Sequence, residues 1–134
     1  MKFMLDTNTC IYIIKKKPES VFARFKSMHI GDVAISTITL AELQFGVSHS
    51  SQPDQNREAL NSFIIPLEIT PFDEAAAFCY GRIRAYLQAR GITIGAMDML
   101  IAAHAQSLSS TLVTNNTKEF ERIPDLPIEN WIDR

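Results

Sequence analysis

The sequence predicts an α/β fold, with a mainly parallel sheet of four to five strands flanked by helices. Two observations lead there. Apolar runs of strand length stand at Lys2 to Leu5, Val33 to Ser36, Leu67 to Ile69 and Thr111 to Val113, and stretches of helical periodicity lie between them. Strands that alternate with helices favour crossover connections, which make neighbouring strands parallel and cover both faces of the sheet.

Taken in order, the first strand ends at once on Asp6. The basic run Lys15-Lys16-Lys17 reads as a solvated helix end favourable to the helix dipole, and its nearness to Asp6 allows a second role in phosphate contact. The second strand leads into a helix with Glu42 in its first turns. His49 to Asp54 is rich in polar turn formers and reads as an exposed loop, not a domain boundary. The clearest helix is Asp73 to Arg90, where Ala76, Tyr80, Ile83 and Leu87 share one face. Its Arg82, Arg84 and Arg90 either contact a nucleic acid or lay their stems over apolar surface. A second helix follows Gly95, with Met97, Leu100, Ile101, Ala105 and Leu108 at helical spacing, and the last strand is followed by Asn116.

Length and composition bound the rest. A chain of 134 residues with 46% apolar content and 21% charged residues fits one domain spanning 1–134 with a sizeable core. The formal charge of -2 provides no global basic field, so nucleic-acid binding has to rest on local Lys and Arg clusters and bound cations. The N-terminus meets Asp6 before any signal-type apolar region, and no apolar run nears the roughly 20 residues that span a bilayer. Cys10 and Cys79 form no zinc spacing and read as small buried apolar groups, which places the protein in a reducing cytoplasm with no membrane association.

In an open α/β sheet, ligands gather outside the carboxyl ends of the strands. Asp6, Glu42, Asp98 and Asn116 all fall there. Each has a structural explanation as well: Asp6 as an N-cap, Glu42 in a capping box with Thr39, Asp98 as a partner of a helix dipole, and Asn116 with Glu119 as a cap pair. Taken together they favour a site. Two like charges about 4 Å apart repel by roughly 4 kcal/mol at an effective dielectric near 20, so converging carboxylates need a counter-charge. A hard divalent cation, Mg²⁺ or Mn²⁺, supplies it with oxygen ligands and retained water. Thr7, Asn8, Thr114 and Asn115 offer supporting hydrogen bonds that orient the carboxylates.

These residues carry a resemblance. Asp6-Thr-Asn, Thr39-Leu-Ala-Glu42-Leu, Gly95-Ala-Met-Asp98-Met-Leu-Ile-Ala-Ala-His and Leu112-Val-Thr-Asn-Asn-Thr-Lys-Glu-Phe-Glu-Arg-Ile resemble the PIN-domain ribonucleases, and within them the VapC toxins of bacterial toxin–antitoxin pairs. The match spans nearly the whole chain with the motifs in family order. It implies a PIN fold, Mg²⁺- or Mn²⁺-dependent endoribonuclease activity on structured RNA such as tRNA or rRNA, inhibition of translation, and a VapB-like antitoxin that blocks the site. Asp6, Glu42 and Asp98 match the family's acidic trio, as catalytic residues and metal ligands. Asn116 stands at the fourth position, often Asp, which lowers the site's charge; Glu119, one turn onward, either compensates or serves as a helix-start acid. The resemblance and an apolar surplus that includes Phe45, Phe63 and Phe78 point to a homodimer.

Metal-assisted attack by water requires no histidine. His104 reads as lining the core side of its helix, and His29 and His49 lie in loop-like segments. A phosphatase of the HAD type would need a second Asp two residues after Asp6, where Asn8 stands. The other alternative is a non-catalytic subunit whose acidic rim docks a basic antitoxin tail and supports promoter binding.

Overall fold

Five strands, β1 (Phe3–Leu5), β2 (Val33–Ser36), β3 (Glu68–Thr70), β4 (Thr111–Val113) and β5 (Ile128–Glu129), pair in parallel in the order β3-β2-β1-β4-β5. The computed structural model describes residues 2–132; positions 1, 133 and 134 of the expected 1–134 span lie outside the described residues. Among the described residues seven helices connect and cover the strands: α1 (Thr7–Lys15), α2 (Glu19–Lys26), α3 (Thr37–His49), α4 (Pro53–Ile64), α5 (Glu74–Ala89), α6 (Ala96–Ser107) and α7 (Thr117–Phe120).

Alternation along the strands explains why both faces are covered. In β1, Met4 faces a cluster built with Ile83, Leu87, Ile101 and Phe120 of α5, α6 and α7, while Leu5 faces Cys10, Ile13, Leu43 and Leu60 of α1, α3 and α4. Leu112 and Val113 in β4 divide in the same way. Each side chain points away from its neighbour, so three residues suffice to pin the strand between two apolar layers. The edge strands β3 and β5 are only three and two residues long, which limits the unpaired backbone they offer.

The helix boundaries follow local chemistry. Asp6 and Asp73 accept the N–H groups of Thr9 and Ala76, capping α1 and α5. Gly91 ends α5 at φ 67°, a conformation open to glycine, and the Ile92 N–H closes back on the Leu87 carbonyl at 2.9 Å. Lys16 is the C-cap of α1, so the basic run does form a helix end.

Several expectations are corrected. The third strand is shifted one residue, and β5 went unread because two residues carry no periodicity. The expected loop at His49 to Asp54 is shorter: His49 is the last residue of α3, stacked on Phe45 at 5.3 Å, and Pro53 opens α4 as its first residue. The helix after Gly95 is not one-sided. Ile101 to Ala105 are all buried, because small side chains let α6 sit between α5, α3 and the sheet, while Met97 faces solvent. Phe63 is buried against Phe25, so only Phe45 and Phe78 of the named phenylalanines are exposed. Arg82 and Arg90 lie over the rings of Phe78 and Tyr86, and Arg84 donates to the Tyr80 hydroxyl, all within α5 or at its C-cap.

Phe120 is 1% exposed and anchors the four-residue α7, a helix too short to be stable without its packing. Phe120→Ala should cost about 3–5 kcal/mol, read as a lower urea midpoint at unchanged m; a loss under about 1 kcal/mol would mean that α7 is not held by this contact.

Candidate active site

The strand order reverses at β1. From it the chain moves one way to β2 and β3, then crosses to β4 and β5 on the other side. Loops leaving β1 and β4 therefore diverge, and the crevice between them lies at the carboxyl ends of adjacent strands. Asp6 stands in that crevice as the residue directly after β1. Its own N–H donates to the Val113 carbonyl at 3.0 Å, and the Thr9 hydroxyl reaches the same carbonyl at 3.2 Å, tying the start of α1 to the end of β4.

Asp6 is 4% exposed. One carboxylate oxygen accepts the Thr9 N–H at 2.8 Å, and the Thr114 hydroxyl also hydrogen-bonds to the carboxylate. Burial raises its pKa, and the bonds from Thr114 and Thr9 only partly offset that. Cys10, fully buried beneath it, is pushed up by burial and by the Asp6 charge, so its thiol stays protonated.

Glu42 reaches the rim from α3. The cap of that helix is Ser36, whose Oγ accepts the Ile38 N–H at 3.0 Å. Thr39 is the third residue of the helix and fully buried, so the alternative explanation of Glu42 as part of a Thr39–Glu42 capping box does not hold. Glu42 is left free of the helix terminus, and the Thr7 hydroxyl donates to its Oε1 at 2.5 Å. That bond joins the first residue of α1 to α3.

Asp98 comes from the first turn of α6, whose N-cap is Gly95. Its pKa is raised to about 6 by burial first, then by the charges of Glu119, Asp6 and Glu42. The four acids therefore share one field. Glu119 is held by the Asn116 amide at 2.5 Å and by the Gly95 N–H at 3.3 Å, which locks α7 against the start of α6. Among the described residues, none of the four has a basic partner; the ion pair formed is Arg24–Glu129, elsewhere.

The chemistry of this donor set fits a hard cation: oxygen ligands, excess negative charge and a carboxylate whose ionisation is disfavoured until a counter-charge arrives. No three acidic, histidine or cysteine side chains among the described residues form a ready-made cage, so ligation would draw the carboxylates closer together.

The supporting residues divide. Thr7 and Thr114 touch the acids; Asn115 instead donates to the Tyr12 hydroxyl at 3.1 Å, and Asn8 is exposed with no bond to the acids among the described residues. Asn116 does not cap α7 with its side chain and acts on Glu119. Sequence reading missed Thr9 and Gly95. Thr9 was legible as the residue three places after a capping Asp, whereas the link from Gly95 to Glu119 bridges 24 residues and leaves no local signal. His104 is fully buried, on the core side as expected.

Comparison with known proteins adds a second line of evidence. Residues 3–126 match the PIN domain family. Ribonuclease VapC2 of Rickettsia felis is 48% identical over 98% of both chains, and the tRNA(fMet)-specific endonuclease VapC of Salmonella typhimurium is 47% identical over 98% of both. Among solved structures, VapBC2 from Rickettsia felis bound to a promoter DNA fragment superimposes with a TM-score of 0.92 at 47% identity, covering 98% of this chain and 100% of that one. DNA-bound VapBC from Salmonella typhimurium gives 0.93 at 46% identity, covering 98% and 99%.

The raised pKa of Asp98 dictates a pH dependence without divalent ions. Its folded-state value of about 6 lies above its ordinary 3.8, so the folded protein holds this proton more tightly than the unfolded chain. Stability from that proton is present at low pH and is lost as pH rises from about 4 to about 6. Asp98→Asn removes this loss. In urea titrations the variant should gain on the wild type across that window and keep the advantage above it; parallel profiles would place Asp98 outside the shared field.

Proposed function

The chain belongs to the PIN-domain family, in its VapC branch, and on that premise we propose that it is a metal-dependent endoribonuclease that cuts tRNA as the toxin of a bacterial toxin–antitoxin pair. The observation that carries this reading is Asp98, a carboxylate raised to about 6 by burial and by three neighbouring acids without a basic partner. Translation would stop through loss of the cut RNA, in a cytoplasm where Cys10 and Cys79 stay free.

Asp6, Asp98 and Glu42 would hold Mg²⁺, with Mn²⁺ as a substitute. A divalent cation, when bound, supplies Lewis-acid activation of water and neutralises charge on the phosphate. The chain's own groups do the rest. Thr114 and Thr9 hold the Asp6 carboxylate, Thr7 orients Glu42, and Asn116 fixes Glu119 beside Asp98. The fourth position is then served by the Asn116–Glu119 pair rather than by either residue alone. Attack by water in line with the leaving 3′ oxygen leaves a 5′-phosphate and a 3′-hydroxyl, and the RNA 2′-hydroxyl takes no part.

The name of the Salmonella relative supports tRNA as the substrate class. Phosphate contacts are available from Lys15, Lys16 and Lys17 at the far end of α1, the helix that Asp6 caps. The VapBC complexes support a VapB-like antitoxin. An apolar groove between α1, α3 and α4 fits such a partner: Ile11, Ile14, Leu43 and Val47 line it, with Lys15 and Glu42 at its polar margin. Apolar antitoxin side chains would fill the groove while a basic residue reaches the rim through Glu42. Both VapBC neighbours are DNA complexes, which keeps the non-catalytic, promoter-supporting role as the second reading.

An assay on antitoxin-free protein separates the two. Asp6→Asn and Asp98→Asn should each lower tRNA cleavage by more than about 100-fold, the upper end for loss of a mere supporting contact, with the circular dichroism spectrum unchanged. EDTA should stop the wild type, Mg²⁺ or Mn²⁺ should restore it, and the new ends should be 5′-phosphates. Wild-type rates in either variant, or 2′,3′-cyclic phosphate ends, would sink the reading.

Inhibition has its own test, because an Arg guanidinium reaches carboxylates by paired, charge-assisted bonds that salt screens. An antitoxin tail peptide should bind Asp98→Asn protein more weakly than wild type, and the gap should narrow as salt is raised. Equal affinities with no salt dependence would show that inhibition works by occlusion away from the acids.

A further inference from the structure

We infer that His104 is a positioning residue for the acidic site, setting through its buried hydrogen bond to Ser36 the spacing between Asp98 on α6 and Glu42 on α3. The inference rests on the metal-dependent reading above and names residues outside its ligand set.

His104 Nδ1 lies 2.7 Å from Ser36 Oγ, and both residues are fully buried. Ser36 ends β2 and caps α3, so this one hydroxyl is attached to the sheet and to the start of the helix that carries Glu42. Glu42 follows Ser36 by six residues, and His104 follows Asp98 by six. At about 1.5 Å of rise per helical residue, the backbone of each acid sits roughly 9 Å along its helix from the same bond. The two helices also pack, with Ile38 of α3 against the cluster that holds Ile101 of α6, and the bond adds the directional contact that apolar packing lacks.

The ring is held from a third side. Phe72 meets it edge-on at 5.4 Å, and the Phe72 N–H donates to the Thr37 hydroxyl at 3.1 Å, so the loop before α5 clamps both helices at this point. Apolar packing is less directional than a hydrogen bond of 2.7 Å inside the core, whose loss leaves the buried Nδ1 of His104 unsatisfied while Ser36 Oγ keeps only the Ile38 N–H.

His104 acts by geometry and not by proton exchange with the rim. Burial lowers its pKa and keeps it neutral, and the opposing influences come from Asp73 and the Pro71 carbonyl, not from Asp6, Glu42 or Asp98.

The test measures Mn²⁺ binding by titration calorimetry, alongside tRNA cleavage and thermal melting, on antitoxin-free wild type, His104→Leu and His104→Asn. Leu fills the space without the bond; Asn keeps a polar atom near the place of Nδ1. His104→Leu should bind Mn²⁺ about tenfold more weakly, within the range for lost orienting contacts, and lower kcat with KM for tRNA unchanged, while His104→Asn retains most of the wild-type affinity. Because Ser36 also caps α3, Ser36→Ala should weaken Mn²⁺ binding on its own, and by less when added to His104→Leu than when made in the wild type; full additivity would overturn the inference. Wild-type Mn²⁺ affinity in folded His104→Leu, with only the melting temperature lowered, would reduce His104 to packing and overturn the inference. Equal weakening in the Leu and Asn variants would overturn it too. A wild type that binds no Mn²⁺ would bring down the metal-dependent reading itself.

Discussion

Mutual repulsion among Asp6, Glu42, Asp98 and Glu119 is the constraint around which this protein is built. Carboxylates brought together in a half-buried crevice separate unless rigid structure holds them, and each is tied to a neighbouring element by at least one hydrogen bond or by its place in a helix start. Asp6 is tied to α1 and β4, Glu42 to Thr7, and Glu119 to Asn116 and Gly95. The repulsion left over raises the pKa of Asp98. In the proposed function, a divalent cation would relieve that residual charge imbalance, and the same imbalance would favour another cation of suitable reach.

The fold meets this constraint by splitting the load between two cores. Asp98 and Glu119 rest on helices packed with Met4 and Leu112 on one face of the sheet, whereas α1, which Asp6 caps, and most of α3 rest on the other, with Leu5, Ile13, Leu43 and Val113. The sheet lies between and transmits the geometry through strands of only three or four residues. Helix α3 bridges the two layers, since Ile38 packs with the first core and Leu43 and Val47 with the second. A site assembled across two cores gains rigidity from both and becomes sensitive to the contacts that register one against the other.

The apolar groove beside Glu42 links this chemistry to control. Its walls are aliphatic side chains from α1 and α3, and its margin contains one of the acids. A partner docked there as proposed would gain affinity from apolar contact and selectivity from the acidic rim, which would couple binding to inhibition without a conformational switch.

How much of this was legible follows from the range of each interaction. Sequence by itself determined the strand–helix alternation, the acids at the carboxyl ends of strands, the Asp6 cap and the helix around Ala76, Ile83 and Leu87, because all of these are periodic or confined to a few neighbouring residues. It left open a capping box at Thr39, which matched a local motif, whereas Ser36 occupies the boundary set by sheet pairing. It also missed β5, too short for any pattern. Only the tertiary structure decided that Asn115 turns to Tyr12, that Asn116 serves Glu119, that Phe63 is interior, and that His104 meets Ser36. Those outcomes depend on contacts across tens of residues, whose distances are set by how two helical layers settle on a twisted sheet, and no local run of amino acids contains that information.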